Sequence, residues 1–319
     1  MPKTLDCVVC GSCVADILVR PVPLDTPFGQ GKAIQVDPIE LATGGIVPNS
    51  GIALARLGMK VAALGYVGED EWGAMIRRRL AADGIDIHAL ATHPTVVTTT
   101  AVVLIDPGGQ RSFAYWPGAT DRLAAPALLE HLDLFAQSRM ALVGYYSLLP
   151  NLEHDLPEVL RAIRERGCRT ALDAAGDGGR MEPLDRILPH LDVYVPSYSE
   201  AAHQTGRDDP EGILEVYRDC GAAGLLGVKL GSEGALLSPA AGQYVKIEPV
   251  PPPGPIVDTT GAGDCFYAGL LAGLLKGMSV TEAGRLAAAC GAACVTGKGA
   301  TTATLDYPEA VRLAGLAAR

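Results

Sequence analysis

In the run Asp258-Thr259-Thr260-Gly261-Ala262-Gly263-Asp264, two glycines flank a small residue just ahead of an apolar stretch, Cys265 to Leu275. Lacking Cβ atoms, Gly261 and Gly263 permit a sharp turn into a helix and leave room for a ligand. The first N–H groups of that helix have no internal partner and lie at the positive end of its dipole. A turn of this kind makes a nest for an anion, most often a phosphate. Asp264 then sets a carboxylate beside the anion site, which is electrostatically wasteful unless the carboxylate accepts a proton. Phosphoryl transfer to an alcohol needs that combination: a base for the hydroxyl and fixed donors for charge on the transferring group. A glycine turn whose Asp merely favours a helix N-terminus is the competing reading.

The elements around this turn are legible in outline. Phe266, Leu270 and Leu274 repeat at i, i+4 and i+8, which predicts a buried helix. Ala268, Gly269, Ala272 and Gly273 would let it pack closely, and Pro251-Pro252-Pro253-Gly254-Pro255 delivers the chain to it in extended form. Elsewhere strand and helix patterns alternate. Strands are predicted at Leu5–Cys10, Val61–Val67, Met140–Val143, Thr170–Asp173, Asp192–Val195 and Leu225–Lys229. Helices are predicted at Asn49–Leu57, Glu71–Asp83, Leu152–Arg166, Ser199–Thr205 and Glu211–Cys220. This order implies an α/β fold, a mostly parallel sheet with helices on both faces. Two segments break the rhythm. Ile17–Ile39 carries Pro21, Pro23, Pro27 and Pro38, and Val96–Tyr115 reads as a hairpin around Asp106-Pro107-Gly108-Gly109. They predict either a small projecting β-sheet or an edge extension of the main one.

Composition removes several function classes. The balance of 26 basic against 36 acidic residues gives a net charge of −10, which argues against nucleic acid or an anionic membrane as main partner. Arg77-Arg78-Arg79 reads as a solvated helix face. No apolar run reaches the roughly 18 residues of a membrane span, and no signal-peptide pattern is present, so a cytoplasmic location is expected. The eight cysteines then imply reduced thiols. Cys7, Cys10 and Cys13 have a metal-like spacing, but strand alternation would split them, which favours buried small hydrophobes. No strand is followed by G-x-G-x-x-G, so a dinucleotide-binding oxidoreductase is disfavoured.

Further positions are candidates with open alternatives. Asp16 follows the first strand, where ligands gather in an open α/β sheet, or it is a surface-turn Asp. Gly44 and Gly45 would let backbone amides approach a ligand, with Asn49 donating and accepting; the alternative is a turn with Asn49 as helix cap. Val228–Ala235, with Lys229, Gly231 and Gly234, is a strand followed by a glycine turn, either a ligand loop or a surface hairpin. Val143–Ser147 should line the pocket, yet it carries no acidic residue.

The string DTTGAGDCFYAG resembles the C-terminal signature of the ribokinase-like (PfkB) family of sugar and nucleoside kinases, and further matches run from Gly11 to Ala300. The resemblance implies one three-layer α-β-α domain over residues 1–319, with a small β-sheet lid from about 17–39 and 96–117. It implies an ATP-dependent kinase acting on a primary hydroxyl of a small sugar, with Asp264 as base and the Gly261, Ala262 and Gly263 amides as anion hole. Asp16, Gly44, Gly45 and Asn49 match substrate-binding motifs, and Phe113 and Tyr115 would cover the sugar or pack within the lid. Lys229, Gly231, Gly234 and Gly299 fall in the expected nucleotide loops. Glu200 matches a magnesium-organising N-x-x-E element in which Ser197 stands for Asn, so Mg²⁺ would be held through water. Asp258 and Thr260 would complete a monovalent cation site, for K⁺. The lid would pair two subunits into a homodimer. The alternatives are a nucleoside kinase and a kinase-fold binding protein, the latter disfavoured by the presence of Asp264.

Overall fold

The computed structural model describes residues 2–25, 33–108 and 110–317. Pro27, in the first irregular segment, and Gly109, in the hairpin turn, lie outside these residues. The strands are β1 (Leu5–Gly11), β2 (Val14–Val19), β3 (Glu40–Gly44), β4 (Val61–Gly68), β5 (Leu90–His93), β6 (Thr99–Ile105), β7 (Arg111–Trp116), β8 (Ser138–Gly144), β9 (Arg169–Asp173), β10 (Val193–Tyr194), β11 (Leu225–Lys229), β12 (Ala235–Ala240) and β13 (Gln243–Ile247).

Nine strands form the main sheet in the order β13-β12-β11-β10-β9-β8-β1-β4-β5. Pairing is parallel from β11 to β5, and β12 and β13 extend the edge as an antiparallel hairpin. Helices cover both faces. Ile46–Arg56, Glu71–Ala82, Ala262–Leu275 and Val280–Cys294 bury their apolar sides in one core, and Leu156–Glu165 and Pro210–Asp219 in the other. Alternation along β1 sends Cys7 and Val9 to the first core and Val8 and Cys10 to the second. The cysteine triplet is thereby split, and every cysteine is a free thiol.

The remaining strands β3-β2-β6-β7 form a separate four-stranded sheet, so the edge-extension alternative is ruled out. Its β6 and β7 form the predicted hairpin, whereas the other two strands depart from the predicted limits: β2 starts at Val14, and β3 follows Ile39. The helix expected over Leu152–Arg166 becomes a short 3-10 turn, Glu153–Asp155, followed by Leu156–Glu165, because Pro157 belongs in a first helical turn. β5, β12 and β13 had no clear strand pattern.

Strand order explains where a ligand can sit. From β1 the chain moves outward through β4 and β5, returns as β8 on the other side of β1, and continues through β9, β10 and β11. The reversal lies at β1 and β8, and open α/β sheets hold ligands in the crevice beyond the carboxyl ends at such a point. Gly11, Gly144 and Asp173 stand in register along that edge. The Ala262–Leu275 helix is fixed nearby by Tyr267, whose hydroxyl donates to the carbonyls of Leu172 (2.7 Å) and Val193 (3.1 Å). Its small residues serve close packing: a Cβ on Gly269 would come 2.8 Å from Cα of Ala287 in the Val280–Cys294 helix. Gly269→Val is therefore expected to destabilise the fold by about 1–3 kcal/mol through overpacking. A urea midpoint equal to wild type would mean that the two helices are not in this contact.

Candidate active site

Gly261 has a left-handed φ of 76° and caps the Ala262–Leu275 helix; a Cβ there would collide with Ala300. The first intrahelical bond runs from the Cys265 N–H to the Gly261 carbonyl, 2.8 Å, so the amides of residues 262–264 lie ahead of the ladder. Ala262 makes only a long 3.4 Å contact to the Thr259 carbonyl. Asp264 is buried at this turn. Its Oδ2 accepts from Asn49 Nδ2 at 2.9 Å and from the Tyr145 hydroxyl at 2.8 Å, whereas Oδ1 has no protein partner among the described residues. Burial pushes its pKa up, and the donors Asn49 and Tyr145, with the Lys229 charge, offset only part of that rise.

Asn49 reaches Asp264 from the Ile46–Arg56 helix, whose own N-terminus is already satisfied. Ser12 takes the Ile46 amide on its hydroxyl and the Val47 amide on its carbonyl, both at 3.2 Å. One expectation is corrected: Gly45, not Asn49, is the cap. Gly44 makes room for Asp16, whose carboxylate occupies the space a Cβ would need. Burial raises the Asp16 pKa from 3.8 to about 6. Tyr145 follows β8 and is the one non-glycine residue with positive φ (59°) among those described, a strained backbone of the kind retained at functional sites.

Opposite the turn, Lys229 ends β11 and Asp173 ends β9, with Nζ and Oδ1 3.1 Å apart. A Cβ on Gly263 would lie 3.4 Å from this Nζ, so the ammonium stands beside the Gly261–Asp264 turn. Burial acts to lower the Lys229 pKa, but the Asp173 and Glu200 charges outweigh it and keep the amine protonated. Asp173 is pushed up by its burial against the pull of Lys229. Ser197 and Glu200 form a reciprocal capping box on the Tyr198–Thr205 helix, with the Ser197 amide 2.7 Å from Glu200 Oε2. Among the described residues no three His, Cys, Asp or Glu side chains converge on a metal by themselves. Three carboxylates (Asp173, Glu200 and Asp264) nevertheless influence one another around a single ammonium. That surplus negative charge fits a hard divalent cation held through water and phosphate oxygens.

The expected nucleotide and cation residues divide. Gly231, at φ 60°, lies in an exposed turn with open space beside it. Gly234 is buried against the Ile247 carbonyl and closes the β11–β12 connection. Gly299 is also buried, with its amide given to Asp258 Oδ2 at 2.8 Å. Asp258 Oδ1 accepts from the Thr260 amide (2.9 Å) and hydroxyl (2.7 Å), and Arg111 forms an ion pair with it. Donors therefore reach both oxygens of Asp258, with a guanidinium beside them.

The small sheet presents Phe113 and Tyr115 to the same side as Asp16. Register aligns Asp16 with Ala101 and Ala101 with Tyr115, and likewise Leu18, Val103 and Phe113. Phe113 and Tyr115 are 62% and 50% exposed, so their rings are uncovered. Sequence reasoning missed Asp173 and Arg111, whereas Tyr145 falls in the Val143–Ser147 stretch expected to line the pocket, without its bond to Asp264 being foreseen. Asp173 could have been found by the criterion that singled out Asp16, a carboxylate at the carboxyl end of a strand. Nothing local marks Arg111, whose partner is distant in the chain.

The sequence is similar to fructokinase from Klebsiella pneumoniae, 30% identical over 339 residues (94% of this chain, 96% of that protein). It is also similar to aminoimidazole riboside kinase from Salmonella typhimurium, 30% identical over 280 residues (83% and 85%). The fold superposes on the solved structure of Arabidopsis thaliana ribokinase complexed with ribose and ATP with a TM-score of 0.82 at 25% identity, over 99% of this chain and 100% of that one. The family model for pfkB family carbohydrate kinases matches residues 4–306. With the glycine turn, the buried carboxylate and the strand order already in place, this chain belongs to the pfkB family of carbohydrate kinases.

Proposed function

We propose that this chain transfers the γ-phosphoryl group of ATP to a primary hydroxyl of a small sugar of the ribose or fructose type. The observation that carries this reading is the division of labour within Asp264. Both protein donors sit on Oδ2, which leaves Oδ1 to take the proton as the sugar oxygen attacks phosphorus. The amides of Gly261, Ala262 and Gly263, with Lys229 beside them, stabilise charge on the transferring group. Asp16 accepts hydrogen bonds from neighbouring sugar hydroxyls. Glu200, with Ser197 through water, holds Mg²⁺, which neutralises the phosphate charge when bound. The exposed Gly231 turn accommodates the nucleotide.

The chain acts as one kinase domain in which the small sheet is a lid. Phe113 and Tyr115 close over the sugar and exclude water, which suppresses hydrolysis of ATP. The outward face of the lid carries Ile17, Leu41, Val102 and Trp116 in alternating positions, an apolar surface suited to a second copy of the chain. The reduced cysteines suit a cytoplasmic enzyme; among the described residues no helix is long and apolar enough to cross a membrane. A nucleoside acceptor is the second reading, supported by the uncovered Phe113 and Tyr115 rings and by the similarity to a riboside kinase. Product from ribose or fructose, against product from adenosine or inosine, separates the two.

Asp264→Asn is expected to lower kcat by about 10²–10⁴-fold while the affinity for an ATP analogue is retained. Near-normal turnover of the variant would remove Asp264 from this role. Asp16→Asn is expected to raise the KM for the sugar and leave that for ATP unchanged. Folding raises the Asp16 pKa from 3.8 to about 6, so protonation favours the folded state. That contribution is complete below 3.8 and is lost as pH rises through 6. Asn imitates the neutral acid, so above the upper value the variant should exceed wild-type stability by at most about 3 kcal/mol. Unfolding midpoints across pH check this; an advantage that grows toward acid would contradict it.

A further inference from the structure

We propose that Arg111 is a built-in monovalent cation: its guanidinium, carried on an edge strand of the small sheet, fills the carboxylate seat at Asp258, so that nucleotide binding needs no potassium. Asp258 lies three residues ahead of Gly261, in the loop that enters the anion hole. Arg111 Nη2 donates to Asp258 Oδ1 and lies 3.4 Å from the Thr259 hydroxyl. The two side chains are 21% and 10% exposed, so the pair is largely shielded from solvent and salt. With Thr260 and Gly299 donating as well, the carboxylate has little acceptor capacity left. Inward-pointing N–H groups would repel an alkali ion, which needs oxygens facing it. Burial alone would raise the Asp258 pKa, yet the Thr260 and Gly299 hydrogen bonds and the Arg111 charge hold it below the ordinary carboxylate range.

A guanidinium is permanently charged, so the seat stays filled whatever the ionic conditions. It differs from a free ion in being attached to the lid. Arg111, Phe113 and Tyr115 alternate on one face of β7, the face shared with Asp16. Movement of that strand toward a bound acceptor therefore acts on the Asp258–Gly261 loop through one side chain. Arg111 is thus a positioning residue, coupling the acceptor side of the cleft to the phosphate side. The proposal rests on the kinase reading for the identity of the nucleotide alone.

The test uses the full chain, Arg111→Ala and Arg111→Lys, with magnesium and β,γ-imido-ATP, in potassium chloride or choline chloride at equal ionic strength. Calorimetric affinity of the wild type is expected to be the same in both salts. Arg111→Ala should lose about tenfold in choline chloride and recover most of it in potassium chloride, a coupling of ordinary size. Arg111→Lys should remain insensitive to the choice of salt. Unfolding midpoints without nucleotide are read in the same salts, and potassium should raise that of Arg111→Ala but not that of the wild type. A wild type that binds several-fold tighter in potassium overturns the proposal, and so does an Arg111→Ala protein whose midpoint ignores potassium. Failure of every form to bind the analogue would count against the kinase reading, while the midpoints still decide the cation seat.

Discussion

A carboxylate buried at the first turn of a helix is stable only where donors meet it, and Asp264 draws its donors from separate parts of the chain. Asn49 arrives on the Ile46–Arg56 helix, Tyr145 on the turn after β8, and Lys229 from the end of β11 stands beside the same turn. These positions are brought together because the strand order reverses at β1 and β8, which opens a crevice at their carboxyl ends. The main sheet can be understood as the scaffold that solves this one electrostatic problem. A carboxylate held this way keeps a raised proton affinity without being neutralised by an adjacent cation, which is the state a general base requires.

The Lys229–Asp173 pair shows how the balance is kept. A buried ion pair gains little net stability, because desolvation consumes most of the Coulomb term. Its value here is positional: Asp173 fixes where the ammonium stands, about one side-chain width from Gly263. Had Lys229 paired with Asp264 instead, the base would have lost its proton affinity. The strand ends prevent that exchange, since Asp173 and Lys229 project from the same edge while Asp264 is carried on the helix above.

How much of this was legible in the sequence depends on the range of the interaction. The Gly261–Asp264 turn, the parallel alternation and the hairpin are encoded within a few residues of one another, and each could be read directly, whereas the separation of the hairpin from the main sheet could not. Residue types at strand ends were legible in principle, as Asp16 was, though Asp173 was passed over. What could not be read was which distant groups satisfy each carboxylate. Gly44 illustrates this: its pattern suggests room for a close approach, but not that the Asp16 side chain across the β2–β3 pair would take that room. Asp258 is a second case, because its cationic partner lies 147 residues away on β7.

Two ion pairs join the small sheet to the C-terminal loops, and they are not equivalent. Lys298 and Glu40 lie 3.0 Å apart, but both are nearly half exposed, so water and salt screen them and their net contribution is small. Arg111 and Asp258 are mostly enclosed, and the carboxylate is held in place by two further backbone amides. Breaking the first pair frees two solvated side chains, whereas breaking the second leaves a shielded charge without its counter-charge. The small sheet is therefore anchored electrostatically at the start of β7, one row or more from Phe113, Tyr115 and Asp16. In the proposed role as a lid, a sheet pinned at one end would close without disturbing the proposed base, because Asp264 takes none of its hydrogen bonds from that sheet.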